Sequence, residues 1–146
     1  MKKILIFLLI STWQLSAWDK ESTVKLYHHL FYEMTKHETI KLYTENKEYA
    51  TIFNQAEHFL LVDKAEDADI ILITSTHEIE RLKDKTLAKH TILFTTRYRL
   101  LKSYDDIVGA FYWRKGRSQL LFIKERLESH DIKLPQNYSK FIIGQL

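Results

Sequence analysis

The chain has 146 residues, a formal net charge of +3, no cysteine, one proline and three glycines. That length suits one domain with its own hydrophobic core, and a disulfide framework is excluded. With glycine only at Gly109, Gly116 and Gly144, neither a phosphate-cradling loop nor a dinucleotide fingerprint is available.

The N-terminus reads as a targeting segment. Lys2 and Lys3 form a positive start, Ile4 to Ile10 an unbroken apolar run, and Ser11 to Ala17 a more polar approach to a small residue. Such a run is too short to span a bilayer and matches a cleavable secretory signal. Residues 1–17 are therefore expected to be removed, leaving residues 18–146 as a single periplasmic domain. Without a lipid-accepting cysteine, no direct membrane anchor remains after cleavage. Loss of the two lysines lowers the net charge from +3 to +1. A nucleic-acid partner, which a pI near 9.0 invites, is thereby not expected. The remaining charge is uneven, net −4 over residues 18–96 and net +5 over residues 97–146. The basic C-terminal third suits an acidic partner, or is solvated surface.

Residues 22–36 place Val24, Tyr27, Leu30, Phe31 and Met34 on one helical face, with Lys25, His28, His29, Glu33 and Lys36 opposite. Ser22 is the expected N-cap of that amphipathic helix. Thr39–Thr44 alternates as a strand, residues 45–56 are polar and helical, and His58–Val62 is a second strand. Asp69–Thr74 is a continuous apolar run, the pattern of a central strand covered on both faces. Ser75 and Glu78 form a capping box that opens a helix to Lys83. Thr91–Thr95 is another buried strand and Arg97–Ser103 a short helix or turn. Ile107–Trp113 and Ser118–Ile123 read as a hairpin closed by Arg114, Lys115, Gly116 and Arg117. A helix over Lys124–His130 follows, and Pro135 predicts the first turn of a last helix to Ile143, closed by Gly144. The expected fold class is α/β, a three-layer-type domain with a largely parallel central sheet, helices packed on it and a C-terminal antiparallel hairpin. Asp63–Ala68 is too short for an ordinary helical crossover, which leaves the place of the second strand open.

Catalytic residues are not expected. There is no G-x-S-x-G elbow and no cysteine nucleophile, so the chain reads as a non-enzyme without a cofactor. His29, Glu33 and His37 recur at four-residue steps, a spacing that stacks imidazoles and a carboxylate beside one another. They fall on the polar face and read as solvated side chains, so no metal site is assigned. Two other sets carry the functional expectation. Tyr112, Arg114, Lys115 and Arg117, with Phe111 and Trp113, form an aromatic and basic cluster around the hairpin turn, the composition of a protein-interaction hot spot. The alternation of Phe111 and Trp113 with Tyr112 predicts one core face and one available face. At the strand ends, Thr44, Thr74, Ser75, Thr76, Thr95 and Thr96, with His77, Arg97 and Arg99 just beyond, supply hydroxyls and cationic groups for a small anion, or simply cap helices.

The stretch from Ala68 onward resembles the YfiR-like family of small periplasmic proteins. The residues that carry the resemblance are the acid-small-acid approach of Asp67, Ala68 and Asp69 to the strand Ile70–Ile73, then Ser75, and the second strand Ile92, Leu93 and Phe94. The hairpin led by Gly109, Gly116 and Arg117 with Leu120–Ile123 follows, and then the spacer Ile132, Lys133 and Leu134 before a terminal helix. The resemblance implies a non-enzymatic regulator that binds the periplasmic sensor domain of an inner-membrane signalling protein such as a diguanylate cyclase. The alternatives from the residues alone are a carrier or sensor of a small anionic solute, and a structural accessory of an envelope machine.

Overall fold

Ile70, Ile71, Leu72 and Ile73 are all buried, and a strand covered on both faces belongs inside a parallel sheet. In the computed structural model, which describes residues 20–146, this strand is the third to form along the chain. The strands are β1 (Ile40–Tyr43), β2 (Phe59–Leu61), β3 (Ile70–Ile73), β4 (Ile92–Thr95), β5 (Ile107–Arg114), β6 (Arg117–Ile123) and β7 (Ile142–Ile143). They make one seven-stranded sheet in the order β2-β1-β3-β4-β5-β6-β7. Every neighbouring pair is parallel except β5 and β6, which form an antiparallel hairpin. The fold is α/β. The expected signal peptide, residues 1–17, lies outside the described residues.

Helices cover both faces. On one side lie α1, described over residues 20–35, α2 (Lys47–Asn54) and α5 (Lys124–Ser129). Their Tyr27, Leu30, Phe31, Phe53 and Leu127 pack on Ile40, Leu42, Ile70, Leu72, Phe94 and Phe122 of the sheet. On the other side, α3 (Thr76–Leu82) and α4 (Tyr98–Ser103) bury Ile79, Leu82, Leu100 and Leu101 against Ile71, Ile73, Ile107 and Ala110. Each such side chain contributes about 1.5–3 kcal/mol of transfer free energy. The first face is unusually aromatic. Tyr27 meets Phe53, Phe94 and Phe111 edge-on at 79–89°, the arrangement ring quadrupoles favour. The apolar face expected for α1 is therefore its packing face. Ser22 is already inside that helix rather than its N-cap, because the helical backbone starts at least two residues earlier.

The short segment after β2 is explained by register. Leu42 of β1 is level with both Leu61, the last residue of β2, and Ile70, the first of β3. The chain therefore need not run back along a strand before entering β3. It has only to cross β1, about two strand spacings or roughly 10 Å. One 3-10 turn (Ala65–Asp67) does this, and Ala65 and Ala68 are small enough to lie fully buried against the sheet.

Two expectations about the C-terminal part are corrected. The turn residues of the hairpin are only Lys115 and Gly116, since Arg114 and Arg117 pair across the strands. Lys115 has φ 51° and Gly116 φ 76°, the double left-handed geometry that matches strand twist in a two-residue turn. The last helix is 3-10 rather than α (Gln136–Phe141) and stops before Ile142, where the strand β7 begins, with Pro135 extended ahead of it. Tyr138 and Phe141 sit three residues apart, so a three-residue turn aims both at the core. The β-branched Ile142 and Ile143 then pair with Phe122 and Ile123 at the sheet edge.

Candidate functional site: hairpin tip and strand ends

The strand ends bring together most of the hydroxyls singled out in the sequence, but as caps for one another. The Thr44 Oγ1 accepts from the Asn46 amide at 3.3 Å. Asn46 caps α2 through its side-chain oxygen and donates its amide Nδ2 to Thr74 Oγ1 at 3.2 Å. Ser75 caps α3 by accepting from the Glu78 amide at 3.4 Å. The Glu78 carboxylate is buried and receives the Thr74 amide at 2.6 Å and the Thr74 hydroxyl at 2.8 Å. Thr95 donates to the Ile73 carbonyl and accepts from the Arg97 amide. The Thr96 amide also donates to Ile73. Arg97 spends its Nε on the Thr74 carbonyl at 2.6 Å. His77 is exposed on the first turn of α3, outside this network. The arrangement ties three strand ends to the starts of α2, α3 and α4 and closes the top of the sheet. Asn46 was not among the expected site residues. The position of Asn46 just before a polar helix was the available signal.

The three residues weighed for metal binding diverge. His29 stacks on Tyr138 with ring centroids 6.4 Å apart, and Glu33 pairs with Lys36 at 2.6 Å. The helix stops at residue 35 and Lys36 turns left-handed, with φ 60°. That turn carries His37 away to Asp69, 3.2 Å from its Nδ1. Among the described residues no group of three or more His, Cys, Asp and Glu side chains converges as a metal site would require.

A groove of about 790 Å³ lies between α1 and α2, lined by Val24, Lys25, His28, Ile52, Gln55 and His58 among others. His28 and His58 stack across it at 4.7 Å. No sequence signal announced it, because the two histidines are brought together only by the packing of α1 against the start of β2.

The hairpin tip has a different character. Burial falls along the strands toward the turn instead of alternating, from fully buried at Ile107–Ala110 to exposed at Trp113 and beyond. Phe111 packs on the α1 side against Tyr27, while Tyr112 packs on the opposite side against Tyr98, with centroids 5.4 Å apart. The expectation of one core face and one available face is corrected. The sheet is covered on both faces at the base of the hairpin and on neither at its tip. Trp113 stands 70% exposed, opposite the small side chain of Ser118. Arg114, Lys115 and Arg117 are exposed beside it. None of the three pairs with a carboxylate among the described residues. No acidic residue occurs between Asp106 and Glu125. The four expected partner-facing residues thus divide: Arg114, Lys115 and Arg117 share an open tip, whereas Tyr112 is half-buried at its base.

No family model, no curated protein and no solved structure matches the chain. Among the described residues no helix is long and apolar enough to cross a membrane.

Proposed function

We propose that the protein is a non-enzymatic periplasmic binding protein that regulates an inner-membrane signalling protein. Its hairpin tip docks on the periplasmic sensor domain of the partner, with a diguanylate cyclase as the first candidate. The observation that carries this reading is the tip itself, an exposed tryptophan beside three cations that pair with no carboxylate among the described residues. Trp and Arg are the residues most enriched where binding energy concentrates, and an unpaired basic cluster steers an acidic partner. The resemblance to YfiR-like proteins agrees with this role. The solute-carrier alternative at the strand ends is less supported, because the Thr74 and Thr95 hydroxyls donate to Glu78 and to the Ile73 carbonyl, and those of Thr44 and Ser75 accept as caps.

The test is made in the source cell. Deleting the gene is expected to raise cyclic diguanylate, and restoring the wild-type gene to lower it again. The double variant Arg114→Glu with Arg117→Glu is expected to reach the same abundance and fail to restore the restraint. Exposed substitutions of this kind change stability by only about 0.5 kcal/mol, so the thermal melt should barely move. Full restraint by the charge-reversed protein would overturn the docking reading.

A further inference from the structure

We propose that the hairpin holds its partner by strand addition along the outer edge of β6, and that the added strand alternates acidic and apolar residues. The inference rests on the docking reading above and specifies how the tip would be engaged. It begins with the ladder. In a hairpin with a two-residue turn, the residues flanking the turn exchange both backbone hydrogen bonds, and the pattern alternates from there. Arg114 and Arg117 are the flanking pair, followed by Trp113 with Ser118, Tyr112 with Gln119 and Phe111 with Leu120. The backbone N–H and C=O groups of Ser118 and Leu120 therefore point away from β5. Phe122, the next residue in that alternation, is the one that pairs with β7 at Ile142. Since β7 reaches only Phe122 and Ile123, no strand among the described residues pairs with Ser118 or Leu120 on their outer side.

An edge of this kind is a template for another strand. Its charge selects which one. A second copy would bring another Arg114, Lys115 and Arg117 beside the first three, with no acid nearby to neutralise them, so self-pairing is disfavoured. An acidic strand is attracted by the same charges. The pleat then fixes its pattern. Phe111 and Leu120 pack toward the α1 side of the sheet, and by alternation Trp113 and Ser118 share that side. Tyr112 and Leu121 pack toward the other side, which by alternation carries Arg114, Arg117 and Gln119. A strand laid beside Ser118 and Leu120 would thus set apolar side chains over Ser118 toward the exposed indole of Trp113, and carboxylates beside Arg117 with Arg114 one strand further in.

The probe is a short capped peptide alternating Glu and Val, compared with a peptide of the same composition arranged as a Glu block and a Val block. Amide hydrogen exchange of the whole protein is followed residue by residue. At saturation the alternating peptide is expected to slow exchange at Ser118 and Leu120 by about tenfold, as ladder pairing does. Gln119, already bonded to Tyr112, should not change, and the block peptide should protect neither edge amide. Ser118→Pro removes one outward donor without touching the β5 ladder, and is expected to weaken the alternating peptide by a few-fold to about tenfold. Equal protection by both peptides, or none by either, would overturn strand addition. In the cell, Ser118→Pro is expected to relax restraint of cyclic diguanylate. If it restrains fully while the Arg114 and Arg117 reversal does not, the edge inference fails and the docking reading stands. If both variants restrain fully, both fail.

Discussion

Gly109 is placed where only a hydrogen fits. It sits directly opposite Phe122 across the hairpin, and a Cβ there would lie 2.6 Å from the Phe122 ring and 2.8 Å from the Leu121 carbonyl oxygen. The backbone carbonyl cannot yield without breaking the ladder. Gly109→Ala is therefore expected to lose about 1–3 kcal/mol in chemical denaturation, despite alanine being the better residue for an ordinary strand. Tyr27 presents the opposite case. Its hydroxyl is buried, and beside Tyr49 it finds no hydrogen bond of good geometry among the described residues. Tyr27→Phe keeps every ring contact and discards an unsatisfied polar group, so it should gain about 1 kcal/mol. Burial pushes the Tyr27 phenol well above its ordinary range, and burial also raises Tyr43, Tyr49 and Tyr138. In the unfolded chain these groups release protons near pH 10. The folded chain then binds more protons than the unfolded one, so stability is full below about pH 10 and falls as the pH rises beyond it. Tyr27→Phe should make that alkaline loss shallower in a melt-versus-pH series. An unchanged slope would show that its burial does not control the loss.

At the scale of elements, the hairpin turn invites a test of its own. Lys115 adopts φ 51° ahead of Gly116, a position where a two-residue turn favours asparagine. Lys115→Asn should raise stability by about 0.5 kcal/mol, because asparagine tolerates the left-handed region better. A fall in the melt would mean that the lysine stem packs on the tip in solution. The elements with a strong local signal are those that the residues themselves announced. Ser75 caps α3, although the Glu78 carboxylate takes the Thr74 amide rather than that of Ser75; the Asp69–Thr74 run holds β3, and the i, i+3, i+4 pattern of Tyr27, Leu30, Phe31 and Met34 is the buried face of α1. The C-terminal segment was misread for a reason that is equally local. Pro135 followed by polar residues is a good helix start, and nothing in those residues discloses that β6 has an open edge for Ile142 and Ile143 to fill.

At the scale of the molecule, the sheet divides the chain's charge as well as its core. The parallel part, β1 to β4, belongs to the net-negative portion, while the hairpin and β7 belong to the net-positive portion. The tip collects three of those cations beyond the reach of any described carboxylate. Arg126, by contrast, is turned inward to the carbonyls of Leu101, Tyr104 and Ile107 at 2.7–3.1 Å. There it ties α5 to the end of α4 and the start of β5. Arg117 and Arg126, nine positions apart, thus have opposite fates, one exposed and one structural, which composition does not distinguish.

What the sequence determined by itself is what local physics can determine. Hydrophobic period separates strand from helix, caps mark helix starts, and glycine allows a tight turn, so the α/β class and the position of the hairpin were legible without coordinates. The choice of neighbours was left to the tertiary structure. The crossing after β2 depends on Leu42 standing level with both Leu61 and Ile70, a stagger that no residue encodes alone. The strand-end hydroxyls of Thr74 and Thr95 looked available until Asn46 and Glu78 were seen to engage the first, and the Ile73 carbonyl and the Arg97 amide the second. Trp113 is open only because the cover on both faces of the sheet stops short of the hairpin tip. Each of these depends on contacts between residues distant in the chain, and a pattern read along one strand cannot show what stands beside it.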